Sequence, residues 1–341
     1  MVSYTDKSIL IIGGTGTIGQ KITKEILKEN PKVIRIFSRD EYKQFIMDKE
    51  MPIEHKNKIR FLIGDVRDYD RVERAMENID IVFNLAAMKH VPSCEYNPDE
   101  AVKTNIIGVE NVIKASMKKN VECMVFTSSD KAINPTNAYG ATKLLGEKLV
   151  QAAQFSKGIS KTKFVAVRFG NVMGSRGSVI PLFKKQVLEN KRITITDKDM
   201  SRFMMTQTQA ARLTMKAVFD SKGGETFVLK MPVINLGDLA EVVIEETCSK
   251  FKQNYETVAI DEIGIRPGEK MYEELMTEEE SRFCYDLGDM FAVIPTTFNF
   301  EDYEEYYKKH SKAKVGMYSS HDETILTKEE VKELLISENL I

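Results

Sequence analysis

The chain has 341 residues, with 49 Lys and Arg against 51 Asp and Glu for a formal net charge of -2, and 42% hydrophobic residues. That length buries a core without disulfide or metal staples, and it suggests about two domains or one large α/β domain with an appended lobe. A charge so near zero gives no electrostatic case for nucleic acid or an anionic membrane; no apolar run reaches the roughly 18 residues of a spanning helix, and MVSYTDKSIL lacks the pattern of a signal peptide.

Ser8 to Ile12 is a β-branched run, too short for a helix and bounded by glycine, which reads as a buried strand. Gly13, Gly16 and Gly19 follow with GxxGxxG spacing, and QKITKEILKEN continues as a helix ending before Pro31. Strand, glycine turn and helix in this order open a nucleotide-binding βαβ unit. Backbone amides there approach a pyrophosphate at the positive end of a helix dipole, with Thr15, Thr17 and Ile18 as the intervening contacts. Val33 to Phe37 is a second strand. An NAD site places an acid about 20 residues on to hold the ribose 2′-hydroxyl, whereas arginine suits a 2′-phosphate. Arg39 stands 20 residues after Gly19, with Ser38 before it and Lys43 one turn later, so the expected cofactor is NADP rather than NAD; Asp40 is the competing ribose ligand.

IRFLIGDVRD gives a third strand ending at Asp65, with Val66 beside it. The Asp65 carboxylate can accept from an adenine amino group or cap a helix from Tyr69 to Met76, a role Asp68 can also fill. IDIVFNLAAMKHV is a fourth strand running into Leu85, Ala86 and Ala87, small where a backbone must approach a ligand closely. Lys89 just beyond is either a phosphate or substrate contact or a solvated lysine. Asp99 to Lys119 forms a long amphipathic helix, Cys123 to Thr127 a fifth strand, and FVAVRFGNVMG a sixth. Strands alternating with helices imply an α/β fold with a parallel, doubly wound, Rossmann-like sheet.

Between the last two strands, TSSDKAINPTNAYGATK packs Ser129, Asp130, Lys131, Tyr139 and Lys143 into one strand–loop–helix passage. Carboxyl ends of strands are where ligands bind in open α/β sheets. Tyr139 and Lys143 are four apart on the helix from Asn137 to Phe155, so they share a face, and a cation beside a phenol favours the phenolate. After Asn171 the pattern is less regular. Arg176, Arg202 and Arg266 lie beside turns, as a site for a phosphorylated or nucleotide-linked substrate requires. Thr327 to Glu330 is a capping box opening a helix expected to be peripheral. The cysteines Cys94, Cys123, Cys248 and Cys284 show no CxxC and read as free thiols in a reducing cytoplasm. The histidines His55, His90, His310 and His321 form no ligand cluster, so no metal is expected.

With GGTGTIG, NLAA, Thr104-Asn105, YGATK and RFGNV in one chain, the sequence resembles an extended short-chain dehydrogenase/reductase. TSSDKAINPTNAYGATK, GNVMGSRGSVIPLF, TDKDMSRFMMT and RPGEKMYEEL make it similar to the UDP-N-acetylglucosamine 4,6-dehydratases of surface-polysaccharide biosynthesis, from about Ser8 to Leu275. The resemblance implies a Rossmann domain over 1–170, a smaller nucleotide-sugar lobe over 171–310 with some elements returning to the first domain, and a C-terminal tail and helix over 311–341. It makes Gly13, Gly16 and Gly19 the pyrophosphate loop, Arg39 the 2′-phosphate contact and Asp65 the adenine contact, with Asn105 also on the cofactor. Tyr139 and Lys143 become the catalytic pair, Ser129 their hydroxyl, and Asp130 and Lys131 the dehydration pair. Asn171, Ser178, Val179, Arg202, Arg266 and Glu269, with Lys89, would hold the UDP-sugar. Two positions depart from the family pattern: Ile12 replaces a threonine, and Ser-Ser-Asp-Lys replaces Ser-Thr-Asp-Lys. Tyr139 points to inversion at C5, while RPGEKMYEEL points to retention.

The implied activity is NADP-dependent 4,6-dehydration. Tyr139 is base at the C4 hydroxyl, Lys131 is base at C5, and Asp130 is acid at the C6 oxygen. Adjacency favours the charged forms of Asp130 and Lys131, so the two trade a proton as a coupled pair. A UDP-hexose 4-epimerase or reductase, which needs no Asp-Lys doublet, is the alternative; a non-catalytic NADP-binding regulator is another. Relatives pair through the two long helices, so a homo-oligomer is expected.

Overall fold

The computed structural model describes residues 3–265, 268–296 and 301–341. The N-terminal half alternates strand and helix: β1 (Ser8–Ile12), α1 (Thr17–Leu27), β2 (Val33–Ser38), α2 (Glu41–Glu50), β3 (Ile59–Ile63), α3 (Tyr69–Ala75), β4 (Ile81–Asn84), α4 (Val91–Tyr96), α5 (Pro98–Val102), a π-helical turn (Lys103–Ile107), α6 (Gly108–Lys118), β5 (Cys123–Thr127), α7 (Ala138–Ser156) and β6 (Lys163–Arg168). The expected helix over 99–119 is thus two α-helical pieces joined by a π turn, a local widening that often marks functional sites.

The remainder continues as β7 (Asn171–Val172), α8 (Val179–Asn190), β8 (Arg192–Ile195), β9 (Ser201–Met205), α9 (Gln207–Asp220), β10 (Thr226–Leu229), β11 (Val233–Asn235), α10 (Leu236–Phe251), β12 (Ala259–Glu262), β13 (Glu274–Met276), α11 (Glu278–Ser281), β14 (Cys284–Asp286), β15 (Met290–Val293), α12 (Glu301–Tyr307), β16 (Ser311–Lys312), β17 (Tyr318–Ser319) and α13 (Lys328–Ser337).

Among the described residues the central sheet has ten strands, ordered β3-β2-β1-β4-β5-β6-β10-β15-β14-β16. From β3 to β10 every pairing is parallel; β15, β14 and β16 add antiparallel strands at one edge. The β-branched run of β1 follows from this placement, because all five of its residues are buried under helices on both faces. Ile9 and Ile11 pack with Ile22 and Ile26 of α1 and Met215 of α9; Leu10 and Ile12 pack with Val72 of α3, Val109 of α6 and Val150 of α7. The order reverses between β1 and β4, which opens a crevice at the carboxyl ends of the strands.

The expected sixth strand divides in two. β6 stays in the sheet, while β7 leaves it to pair with β9. A second core lies beyond, built from Phe183 of α8, Ile193 of β8 and Leu239 and Val243 of α10. Val331 and Leu335 of α13 are fully buried in it, so the C-terminal helix is a wall of this core and not the peripheral element expected. No helix among the described residues is long and apolar enough to cross a membrane.

Candidate active site

β5 delivers Thr127 to the crevice, and the chain then turns sharply. Ser129 caps a short 3₁₀ turn over Asp130–Ala132. Its Oγ donates to Asp130 Oδ1 at 2.6 Å and accepts from the Lys131 amide at 3.3 Å. Lys131 Nζ donates to Asp130 Oδ2 at 2.8 Å and lies 3.6 Å from Glu273 Oε1. Asn137 Oδ1 accepts from Gly140 N at 2.9 Å, which starts α7 and puts Tyr139 and Lys143 on one face. Gly140 must be glycine here, because a Cβ would overlap the Lys131 carbonyl oxygen. The missing side chain lets the tyrosine helix rest directly on the Asp-Lys turn.

Burial raises the Tyr139 phenol to about 12, while the neighbouring Ser129 hydroxyl and the Lys131 charge pull it down. Burial lowers the Lys143 ammonium to about 8; its Nζ donates to the Thr127 carbonyl at 2.8 Å and sits 4.6 Å from the Phe126 ring centroid. For Asp130, burial is outweighed by the Lys131 charge and the bonds from Lys131 and Ser129, so its carboxyl stays below the usual range. For Lys131, burial is likewise outweighed by Asp130 and Glu273, and the ammonium is held above its ordinary value. The doublet therefore rests as an ion pair.

Glu273 escaped the sequence reading. It stands in an ordinary-looking Glu-Glu doublet just before β13, and no local spacing signals it. Tertiary pairing buries it against the site. Both carboxylate oxygens accept from Asn171 Nδ2 at 2.9 Å, one accepts from Phe203 N at 3.1 Å, and Arg202 Nε lies 3.6 Å away. Burial and the neighbouring Asp130 push its carboxyl up to about 7, against Lys131, Arg202 and Asn171.

Ser129, Asp130, Lys131 and Tyr139 line one end of a cleft of about 930 Å³, with Glu273 behind Lys131. The other end is the glycine loop. Gly13 has φ +78°, and a Cβ on it would stand 2.9 Å from Ala86 N; one on Gly19 would stand 2.6 Å from Gly14 Cα. Gly16 caps α1 without a side chain over the first amides. Thr15, Thr17, Ile18, Ser38, Arg39, Lys43, Asp65, Val66 and Leu85 to Lys89 complete this wall. The cradle that only glycine permits, at an open helix N-terminus, fits a dinucleotide. Asp40, the competing ribose ligand, is committed elsewhere: it caps α2 through Lys43 N at 2.9 Å and pairs with Lys43 Nζ at 2.5 Å. Arg39, half exposed, lies 3.6 Å from Asp65. Asp65 accepts from Arg67 Nη2 at 2.7 Å, while Asp68 caps α3.

The loop before α8 crosses back over the glycine turn. Arg176 donates from its guanidinium to the Thr15 carbonyl and from its amide to Thr17 Oγ1 at 3.3 Å, and Lys89 Nζ donates to the Arg176 carbonyl at 2.9 Å. Asn171, Ser178, Val179 and Glu269 also line the cleft, and the buried Ser178 Oγ at the head of α8 has no partner. Two expected ligands sit behind the wall. Arg202 is spent on the carbonyls of Ser201, Lys270 and Met271 at 2.9–3.0 Å, and Asn105 braces Met88 N and Thr142 Oγ1 at 2.8 and 3.0 Å. Arg266 lies outside the described residues.

Residues 9–295 match the family described as polysaccharide biosynthesis protein. A Methanocaldococcus jannaschii protein described as an uncharacterized membrane protein is 49% identical over 97% of this chain and 96% of its own. The UDP-N-acetylglucosamine 4,6-dehydratase (inverting) of Campylobacter jejuni is 40% identical over 97% of each chain. The UDP-glucose 4-epimerase of Rickettsia canadensis is also 40% identical, over 99% of this chain and 98% of its own. The X-ray structure of Pen from Bacillus thuringiensis is 54% identical and superposes with a TM-score of 0.93 over 100% of both chains.

Proposed function

The chain belongs to the polysaccharide biosynthesis protein family and is an enzyme of the nucleotide-sugar dehydratase and epimerase type; from that premise we propose that it catalyses NADP-dependent 4,6-dehydration of UDP-N-acetylglucosamine. The observation that carries this reading is the Asp130–Lys131 ion pair, 2.8 Å long, beside Tyr139 in the same cleft. A 4-epimerase needs the tyrosine and its lysine but has no use for a second acid and base.

Tyr139, beside Ser129 and backed by Lys143, takes the proton of the C4 hydroxyl. A bound nicotinamide dinucleotide supplies the acceptor and then the donor of a hydride, without net consumption. The 4-ketone acidifies C5, whose proton Lys131 removes while Asp130 protonates the departing C6 oxygen. The unpartnered Ser178 Oγ at the head of α8 and the exposed Lys89 on the cleft wall suit the diphosphate of the nucleotide sugar. Val102, Ile107 and Leu145 leave an exposed apolar stripe on the α5–α6 and α7 face, suited to pairing with a second copy.

Mass and proton NMR spectra of the product from UDP-N-acetylglucosamine test the reaction. The expected product is lighter by one water, carries solvent deuterium at C5 in heavy water, and shows its C5 configuration directly. A product of unchanged mass with inverted C4 replaces this reading with the epimerase.

Arg39 and Asp40 both line the cleft, and the use of the Asp40 carboxylate in its helix cap supports the choice of NADP. Arg39→Ala should weaken NADP binding about tenfold or more, the worth of one charge-assisted hydrogen bond, and leave NAD nearly unchanged. Titration calorimetry with each dinucleotide reads this; equal loss for both removes Arg39 from the 2′-phosphate.

A further inference from the structure

Lys131 must be neutral to remove the C5 proton, yet Asp130 and Glu273 together hold it charged. The group that can relieve this stands beside it. Glu273 Oε1 lies 3.6 Å from Lys131 Nζ, and its carboxyl feels the charge of Asp130 on the same lysine. Its other neighbours are Asn171 Nδ2 from β7, with Arg202 Nε and Phe203 N from β9. Its backbone is pinned by Ser320, which receives the Glu273 amide at Oγ (2.9 Å) and donates its own amide to the Glu273 carbonyl (2.8 Å). Asn171 Nδ2 and Phe203 N both reach Oε2, so the single amide oxygen of a glutamine can serve both donors. An ionisable carboxyl in this knot has a function that an amide lacks.

We propose that Glu273 takes the proton of Lys131 and so frees the amine to act as the C5 base, then returns that proton when the cycle closes. This rests on the dehydratase reading above. The protons balance within the cluster. The O4–H bond breaks to Tyr139, and the proton passes through Ser129 Oγ, 2.6 Å from Asp130 Oδ1, to Asp130. Lys131 gives its proton to Glu273. The C5–H bond then breaks to Lys131 as the C6–O bond breaks, and Asp130 delivers its proton to the leaving oxygen as water. After C6 is reduced, Lys131 reprotonates C5 and recovers its own proton from Glu273. The proton taken from O4 leaves in the water and no net proton is consumed; in heavy water the exchangeable hydrogens of Lys131 carry deuterium to C5. Glu273 is a positioning residue, since it acts through Lys131.

Such a cycle starts from ionised Glu273. Its carboxyl sits at about 7, so the dehydration rate should rise with pH through that value. Glu273→Gln keeps the acceptors for Asn171 and Phe203 but cannot take a proton. The expected result is an intact single-turnover burst of C4 oxidation, dehydrated product and C5 deuterium exchange both down about a hundredfold, and loss of the acid limb near neutrality. Glu273→Asp should recover part of the rate and of that limb. Dehydration at the parent rate with an unchanged limb overturns the proposal. So does loss of the oxidation burst together with elimination, or a melting temperature lowered by Gln but not by Asp, each of which marks a structural role. A parent enzyme that releases only an epimer overturns the dehydratase reading itself, and is recognised by the mass of the parent's product before any variant is compared.

Discussion

Lys131→Ala is expected to lower formation of the 4-keto-6-deoxy product by about 10²–10⁴-fold while dinucleotide binding and C4 oxidation persist. The ammonium it removes has one bond to Asp130 at 2.8 Å and none to the glycine loop, so the cofactor end of the cleft keeps its geometry. What disappears is the group able to accept the C5 proton. Asp130 and Glu273, left without their shared cation, can hold one proton between them, as adjacent carboxyls do, which spares the fold an uncompensated buried charge. The measurement is a rapid-mixing trace of nicotinamide reduction alongside the product's mass. Full dehydration by this variant sinks the assignment of Lys131 as the base.

Arg168→Met is expected to cost about 3–5 kcal/mol of stability, because it strands a buried carboxylate. Arg168 and Glu147 are each 1% exposed, joined by bonds of 2.9 and 2.6 Å. The same guanidinium reaches Glu280 at 2.9 and 3.0 Å and the Leu275 carbonyl at 2.8 Å, tying β6, α7 and α11 into one knot. A loss of that size is a large fraction of the ~5–15 kcal/mol that holds an ordinary domain together. Denaturant unfolding reads it, and Glu147→Leu in the same chain should restore much of the loss by removing the orphaned charge. A variant as stable as the parent shows that the triad is not a net support. The knot lies a few residues from Glu273, so a folded Arg168→Met protein should also dehydrate more slowly.

Sequence alone determined the features that chemistry expresses locally. Continuous apolar runs specify strands buried on both faces, GxxGxxG specifies a backbone that must approach a phosphate, and Tyr139 and Lys143 four apart specify one face of one helix. Asp130 and Lys131 were legible for the same reason, being neighbours in the chain. Where local roles competed, with Asp40 against Arg39 for the ribose and Asp65 against Asp68 for a helix cap, the sequence named the candidates, and hydrogen bonding in the fold made Asp40 and Asp68 helix caps.

Tertiary structure decided what depends on distant segments meeting. Arg202 looked like a ligand, but the Lys270 and Met271 carbonyls claim it. Asn105 braces the fourth-strand loop from within a π turn, which no residue periodicity announces. The C-terminal helix reads as peripheral, yet Val331 and Leu335 are buried completely in the core shared with α8 and α10. Glu273 is the sharpest case. A Glu-Glu doublet before a strand carries no local signal, and its chemistry exists only because β7, β9 and the Asp130–Lys131 turn converge on it. A carboxyl's proton affinity is set by the charges and water around it. Those surroundings come from residues that lie far from it along the chain.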